Sequence, residues 1–251
     1  MDFSSQTVIV SGAASGMGLL FSQRFVQAGG QVVMADQNAA EVRRQADLIN
    51  RSYKERAVAS GCDIRDYNQV SAVARLAIMT FGHIDVLINF AGGAETRIWG
   101  VSDREFPDVP IEVYDWGIDV NLKGQLHFAH AVLGQMRRQQ HGVILNIGSI
   151  TGEEGCATNV AYAAAKSGAM YGLTRSLAKY GATCGVRCCC LSPGPVLTRP
   201  GMRNMKTALG RAARPEEIVN MALYIVSQEG AFLDGVNILM DGGRNILNNR
   251  D

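Results

Sequence analysis

The chain has no apolar run of about 18 residues, the length a membrane-crossing helix needs, and no basic segment followed by an apolar one near its start. Neither a membrane span nor a secretory leader is expected, and the cytosol is the expected compartment. Charge of one sign is also missing, because 24 Lys and Arg against 23 Asp and Glu leave a formal +1. That balance removes the electrostatic case for nucleic acid or an anionic membrane surface as a partner. Repeats, low-complexity tracts and linkers are absent, so nothing divides the 251 residues into more than one expected domain. At 47% hydrophobic residues, a domain of this length can build a large core. Cys-x-x-Cys pairs are absent too. Four of the six cysteines crowd into Cys184 and Cys188-Cys189-Cys190, and adjacent residues on a strand point to opposite faces and do not easily pair. Reduced core thiols are the expectation, with a metal site a weak alternative. His127 and His130, three apart on a helix, read as packing or interface residues, and no metal is expected.

What is there is alternation. Short β-branched runs at Thr7–Val10, Gln31–Ala35, Arg56–Ser60, Ile84–Asn89, Val143–Ile147, Val186–Leu191 and Asn237–Met240 read as strands. Helical patterns lie between them near Gly18–Ala28, Ala39–Arg51, Tyr67–Phe81, Ile111–Arg138, Asn159–Tyr180 and Pro215–Val226. Right-handed crossovers then predict an α/β fold: one doubly wound, parallel, seven-stranded sheet with helices on both faces. The least regular stretches, Gly92–Pro110 and Pro193–Arg214, both follow the carboxyl ends of strands, the edge where open parallel sheets bind ligands.

Directly after the first strand comes Ser11-Gly12-Ala13-Ala14-Ser15-Gly16-Met17-Gly18, followed by a helix. Glycines there permit a tight turn, close approach of a pyrophosphate to the backbone and close helix packing, while the helix N-terminus supplies oriented N–H groups. The second strand ends in Asp36, eighteen residues past Gly18. A carboxylate at that point accepts from a ribose hydroxyl pair and repels a 2′-phosphate, which favours NAD over NADP. Ser15, Gln37 and Asn38 add no cation to hold such a phosphate.

Tyr162 and Lys166 are four residues apart in an Ala-rich helical segment, hence on one helix face. A nearby ammonium favours phenolate, which predicts a Tyr162 pKa drawn down toward the range of a proton-transfer catalyst. Ser149, thirteen residues earlier at the end of an apolar strand, completes a set of hydroxyls.

The Gly12, Gly16, Gly18 spacing together with Ser149, Tyr162 and Lys166 resembles the short-chain dehydrogenase/reductase family. Further matches are Cys62-Asp63, Asn89-Phe90-Ala91-Gly92, Asn121, Pro193-Gly194 and Asp241-Gly242-Gly243, so the resemblance covers essentially the whole chain. It implies a Rossmann fold in one domain that carries both cofactor and substrate sites. Cofactor contacts are implied for Gly12, Ser15, Gly16, Met17, Gly18 and Asp36. Cys62, Asp63 and Ile64 would lie by the adenine, Asn89, Phe90, Ala91 and Gly92 along the adenosine ribose, and Pro193, Gly194, Val196 and Thr198 around the nicotinamide. Tyr162 would be the general acid/base, with Lys166 lowering its pKa and binding the nicotinamide ribose. Ser149 would polarise the reacting oxygen, and Asn121 would hold a water near Lys166. The family's usual second Asn is replaced by Phe90 and a strand Asn by Cys189; neither change removes a reacting group.

The resulting expectation is an NAD-dependent alcohol dehydrogenase whose partner is a small-molecule secondary alcohol or its ketone, with polyols, sugars, hydroxysteroids and cyclic alcohols all open, assembled as a homotetramer through its two long helices and final strand. The alternatives are an NADPH-linked 3-oxoacyl thioester reductase and a catalytically idle dinucleotide-binding scaffold. Expected substrate contacts are Ser149, Tyr162, Trp99, Asn159 and the adjacent Glu153 and Glu154, with Arg97 on the loop before them; a short lid, Val196–Leu209, adds Met202 and Met205 for apolar contact and Arg199, Arg203 and Lys206, which could as easily face water as an anionic group. Two glutamates beside Ser149 would suit a hydroxylated or cationic ligand better than a carboxylate.

Overall fold

The computed structural model describes residues 1–247. Strands β1 (Thr7–Ser11), β2 (Gln31–Asp36), β3 (Ala57–Gly61), β4 (Val86–Asn89), β5 (Gly142–Ile147), β6 (Val186–Pro193) and β7 (Asn237–Met240) form one sheet. Its order is β3-β2-β1-β4-β5-β6-β7, and every neighbouring pair is parallel. The helices are α1 (Gly16–Gln27), α2 (Ala39–Ser52), α3 (Tyr67–Phe81), α4 (Glu95–Ile98), α5 (Ile111–Ile118), α6 (Gly124–Gln139), α7 (Thr151–Glu154), α8 (Val160–Gly168), α9 (Thr174–Gly181) and α10 (Pro215–Val226). This is the doubly wound Rossmann arrangement expected from the alternation.

Side-chain alternation along the strands feeds two cores. Val8 and Val10 of β1 and Val32 and Met34 of β2 join α1 and α10 on one face, through Phe21, Phe25, Ile218 and Ala222. Ile9, Val33 and Ala35 point the other way, to Val70 and Val73 of α3 and Phe128 and Val132 of α6. Helix limits follow local chemistry. The Asn38 side chain accepts from Glu41 N at the start of α2, and Gly82 ends α3 in the left-handed region at φ 86°.

The two long helices are each interrupted by a π-helical segment, Asp119–Lys123 between α5 and α6 and Ala169–Leu173 between α8 and α9. Such widened turns shift the hydrogen-bond register and release main-chain groups for other partners. Periodicity does not reveal them.

The turn after β1 is held by sterics. Gly12 has φ 69°, and a Cβ there would lie 2.7 Å from Ala91 N; one on Gly18 would lie 2.2 Å from Gly12 O. The turn therefore packs directly on the loop after β4, at the point where the chain winds away from β1 to either side. Phe90 takes up the space beside it by packing on Phe21, with ring centroids 5.8 Å apart. Cys189, buried in β6, donates through Sγ to Leu233 O at 3.3 Å, and all six cysteines are unpaired.

Candidate active site

A cleft runs along the carboxyl ends of the central strands. Its two cavities, about 300 Å³ and about 700 Å³, share Ser15, Met17, Phe90 and Gly92 in their walls. The smaller is also lined by Gly12, Gly18, Asp36, Cys62, Asp63, Ile64 and Ala91. The larger brings together Gly16, Ser149, Asn159, Tyr162, Lys166, Pro193, Gly194, Val196 and Thr198. Thirty of the chain's sequence positions separate Asp63 from Gly93, yet both border this one crevice.

The smaller cavity suits an adenosine and a pyrophosphate. Ser15, the N-cap of α1, makes no side-chain cap bond, and the first turn holds no acid, so the dipole there is uncompensated. Asp36 accepts from Ala14 N through Oδ2 and from Asn38 N through Oδ1, both at 3.0 Å. Two backbone bonds leave lone pairs on each oxygen for hydroxyl donors. No Lys or Arg lines this cavity. Asp63 is gripped by Arg65 at 2.6 Å, and those hydrogen bonds hold its carboxyl below the usual range. Burial pushes the Cys62 thiol up to about 12, making it a neutral wall. Asn89 is the exception among the expected contacts. Its side chain points into the sheet, donating to Asn146 Oδ1 at 3.0 Å, and it lines neither cavity.

Backbone bonds that extend the β5–β6 pairing past its end, Gly148 N to Leu191 O and Ile150 N to Pro193 O, both 2.9 Å, fix Ser149 between them. Lys166 is 3% exposed, donates from Nζ to Ile147 O at 2.7 Å and lies 5.5 Å from the Tyr162 ring centroid. Burial drives its pKa down to about 8. Tyr162 differs from expectation. Burial raises its pKa above the ordinary 10, against hydrogen bonding to Ser149 and the charges of Arg199 and Arg97, which lower it. The desolvated phenol is thus held neutral, and the buried amine beside it does not reverse that.

Asn121, fully buried in the first π segment, clamps the loop after β4. Oδ1 accepts from Gly93 N at 3.0 Å, and Nδ2 donates to Gly93 O and Gly117 O, both at 2.9 Å. A Cβ on Gly92 would lie 2.7 Å from Asn121 Oδ1 and 3.3 Å from Lys166 Nζ, so all three converge.

Two residues that sequence reasoning missed hold this geometry. Glu95, wholly buried, caps α8 from 66 positions away: its carboxylate accepts from Ala161 N at 3.1 Å and Tyr162 N at 3.2 Å. Gln125 donates to Asn121 O at 2.6 Å, and its Oε1 accepts from Ile147 N at 3.2 Å, tying the π segment to the strand end that Lys166 grips. A Glu placed just after Gly92-Gly93, where a helix starts without a capping side chain elsewhere, was the available signal for the first.

On the substrate side three expectations are corrected. Trp99 is half exposed and does not line the cavity. Glu153 accepts from the Tyr171 hydroxyl, and Glu154 is held by Arg244 at 3.0 Å; neither lines the cavity, because α7 turns both outward. Asn159 does line it, accepting from Thr96 Oγ1 at 2.8 Å, as do Arg97, Arg199, Met202 and Met205. The long helix contributes Trp116 and Val120 to the wall of the smaller cavity. His127 contacts Ile64 O and His130 the Tyr67 hydroxyl. A depression of about 610 Å³ at the opposite edge, around His83, Asp85 and His141, is remote from these groups.

The family model for short chain dehydrogenases matches residues 6–208. A short-chain reductase, NovJ of Streptomyces niveus, is 33% identical over 94% of this chain and 92% of its own length. A trans-4-hydroxycyclohexanecarboxylate dehydrogenase of Sinomonas cyclohexanicum is 33% identical over 97% and 94%. Among solved structures, a 7α-hydroxysteroid dehydrogenase complexed with NADH and 7-oxo glycochenodeoxycholic acid matches with a TM-score of 0.84 and 27% identity, covering 96% of this chain and 95% of that one. The chain belongs to the short-chain dehydrogenase family of oxidoreductases. Among the described residues, no helix is long and apolar enough to cross a membrane.

Two outcomes follow from the site's geometry. Between about pH 8 and the ordinary 10.5, the unfolded chain keeps a proton on Lys166 that the folded chain has released. Unfolding therefore takes up protons, and stability rises with pH in that window. Relative to Lys166→Met, the wild type is expected to gain up to about 3 kcal/mol, read by guanidinium unfolding at pH 7.5 and 10. A flat difference would show that Lys166 is not desolvated. Glu95→Ala is expected to cost about 2 kcal/mol and to lower kcat more than it raises KM, while Glu95→Gln, which keeps an acceptor, recovers most of both; equal kcat in all three would remove Glu95 from the positioning of Tyr162.

Proposed function

We propose that the protein is an NAD-linked dehydrogenase interconverting a secondary alcohol and its ketone, with one domain carrying both cofactor and substrate sites. The observation that carries this reading is the meeting of Ser149, Tyr162 and Lys166 in the wall of a cavity that continues to Asp36. When bound, the nicotinamide dinucleotide supplies or accepts the hydride. Gly16, Met17 and Gly18 would hold its phosphates at the α1 N-terminus. Asp36 would take the adenosine ribose hydroxyls, and the lack of a cation around it disfavours the NADPH-linked thioester reductase. The NADH in the structural neighbour supports the same cofactor type.

Tyr162 takes the proton from the alcohol oxygen in oxidation and returns it to the ketone oxygen in reduction. Ser149 donates to that oxygen as negative charge builds on it, and it steadies the phenol at other times. Lys166, with a pKa of about 8, can give or take a proton near neutral pH, and it would hold the nicotinamide ribose. Asn121 acts through Gly93 as a positioning residue. The hydroxycyclohexanecarboxylate relative and the oxo-steroid bound in the neighbour fit a cyclic secondary alcohol and its ketone. A homotetramer in the cytoplasm completes the reading, paired through α5–α6 and α8–α9.

Tyr162→Phe is expected to lower kcat by about 10²–10⁴-fold with NADH binding, followed by fluorescence, near wild type. A variant that kept a tenth of its turnover at 340 nm would refute the proton-transfer role. For Asp36→Ala, the ratio of kcat/KM with NAD to that with NADP should fall about tenfold or more, and an unchanged ratio would mean another residue reads the ribose.

A further inference from the structure

The larger cavity is cationic. Its wall holds Arg97, Arg199 and Lys166 and no Asp or Glu. Among the described residues, neither Arg97 nor Arg199 has an ion-pair or side-chain hydrogen-bond partner. Three acids around the cavity are engaged elsewhere: Glu95 with Ala161 N and Tyr162 N, Glu153 with Tyr171, and Glu154 with Arg244. The two arginines come from different elements, Arg97 from α4 and Arg199 from the stretch just before the 3-10 turn Pro200–Asn204. They nevertheless act on each other and on one point. Burial, then the like charge of Arg97, presses the Arg199 pKa down, and both charges reach the Tyr162 phenol. Both guanidiniums keep much of their surface in water at the cavity wall, where an incoming anion can reach them, and the planar fork of each matches a carboxylate or sulfonate. Ile150, Met202 and Met205 add apolar surface to the same cavity wall.

We infer that Arg97 and Arg199 form an anion subsite, so that the substrate is a secondary alcohol or ketone carrying a carboxylate or similar acid group on its apolar body. This rests on the dehydrogenase reading for the reacting end of the molecule. It reverses the preference for a cationic ligand that the adjacent glutamates suggested, because those side chains face away.

The test compares 4-hydroxycyclohexanecarboxylate and 6-hydroxyheptanoate with their methyl esters, following NAD reduction by wild type, Arg97→Gln, Arg199→Gln and Arg203→Gln, a lid arginine outside the cavity wall. The expected result is a carboxylate-to-ester ratio in kcat/KM of about tenfold or more, equivalent to about 1.4 kcal/mol. That ratio should collapse toward one in each of the first two variants and hold in the third. A wild-type ratio near or below one, in an enzyme that turns over the esters, overturns the subsite and leaves the dehydrogenase reading standing. If neither member of a pair is turned over, calorimetric titration with cyclohexanecarboxylate and cyclohexanecarboxamide in the presence of NADH decides. Binding of the acid alone, lost in Arg97→Gln/Arg199→Gln, supports the subsite even though the dehydrogenase reading has failed for these compounds. Absence of binding, or equal binding of acid and amide, overturns it.

Discussion

The site depends on how Lys166 is buried. An ammonium withdrawn from water needs a compensating acceptor, and here that is the main-chain carbonyl of Ile147, 2.7 Å away at the carboxyl end of β5. The bond seats α8 against the sheet edge, which brings Tyr162, one turn earlier on the same face, over the cleft. Gln125 holds the amide of the same strand residue and ties it to Asn121, and Asn121 in turn clamps Gly93. Glu95, two residues beyond Gly93, returns to cap α8. The chain of contacts closes on itself, so a shift at any one member moves the Ser149 and Tyr162 hydroxyls. Buried, mutually satisfied polar networks of this kind favour one arrangement over its neighbours.

Desolvation also sets the electrostatic tone. It lowers Lys166 and raises Tyr162, bringing the amine toward neutral pH while keeping the phenol protonated. The charges that oppose burial of the phenol are those of Arg199 and Arg97 on the substrate side, where an acidic ligand would meet them. On the proposed reading, proton transfer and substrate selection share one field.

Much of this was legible from spacing. All seven strands and all six longer helical stretches fall within one or two residues of where alternation puts them, because parallel strands buried on both faces read as apolar runs. The glycine turn, Asp36, Ser149, Tyr162 and Lys166 lie where local motifs place them. What spacing could not carry were contacts between distant segments. Glu95 reaches a helix 66 positions away, Gln125 serves main-chain groups that the π segment releases, and the outward turn of α7 decides the fate of Glu153 and Glu154. Asn89 matched a motif, yet the two-residue alternation of β4 turns its side chain into the sheet beside Asn146.

The most direct measurement is a crystal structure of the protein with NAD and 4-oxocyclohexanecarboxylate, an oxidised cofactor and a ketone that cannot react with each other. The account predicts the dinucleotide along the cleft from Asp36 to Lys166, with the ketone oxygen within hydrogen-bond distance of both the Tyr162 and Ser149 hydroxyls. A dinucleotide bound outside that cleft, or a ketone oxygen facing away from both hydroxyls, would contradict it.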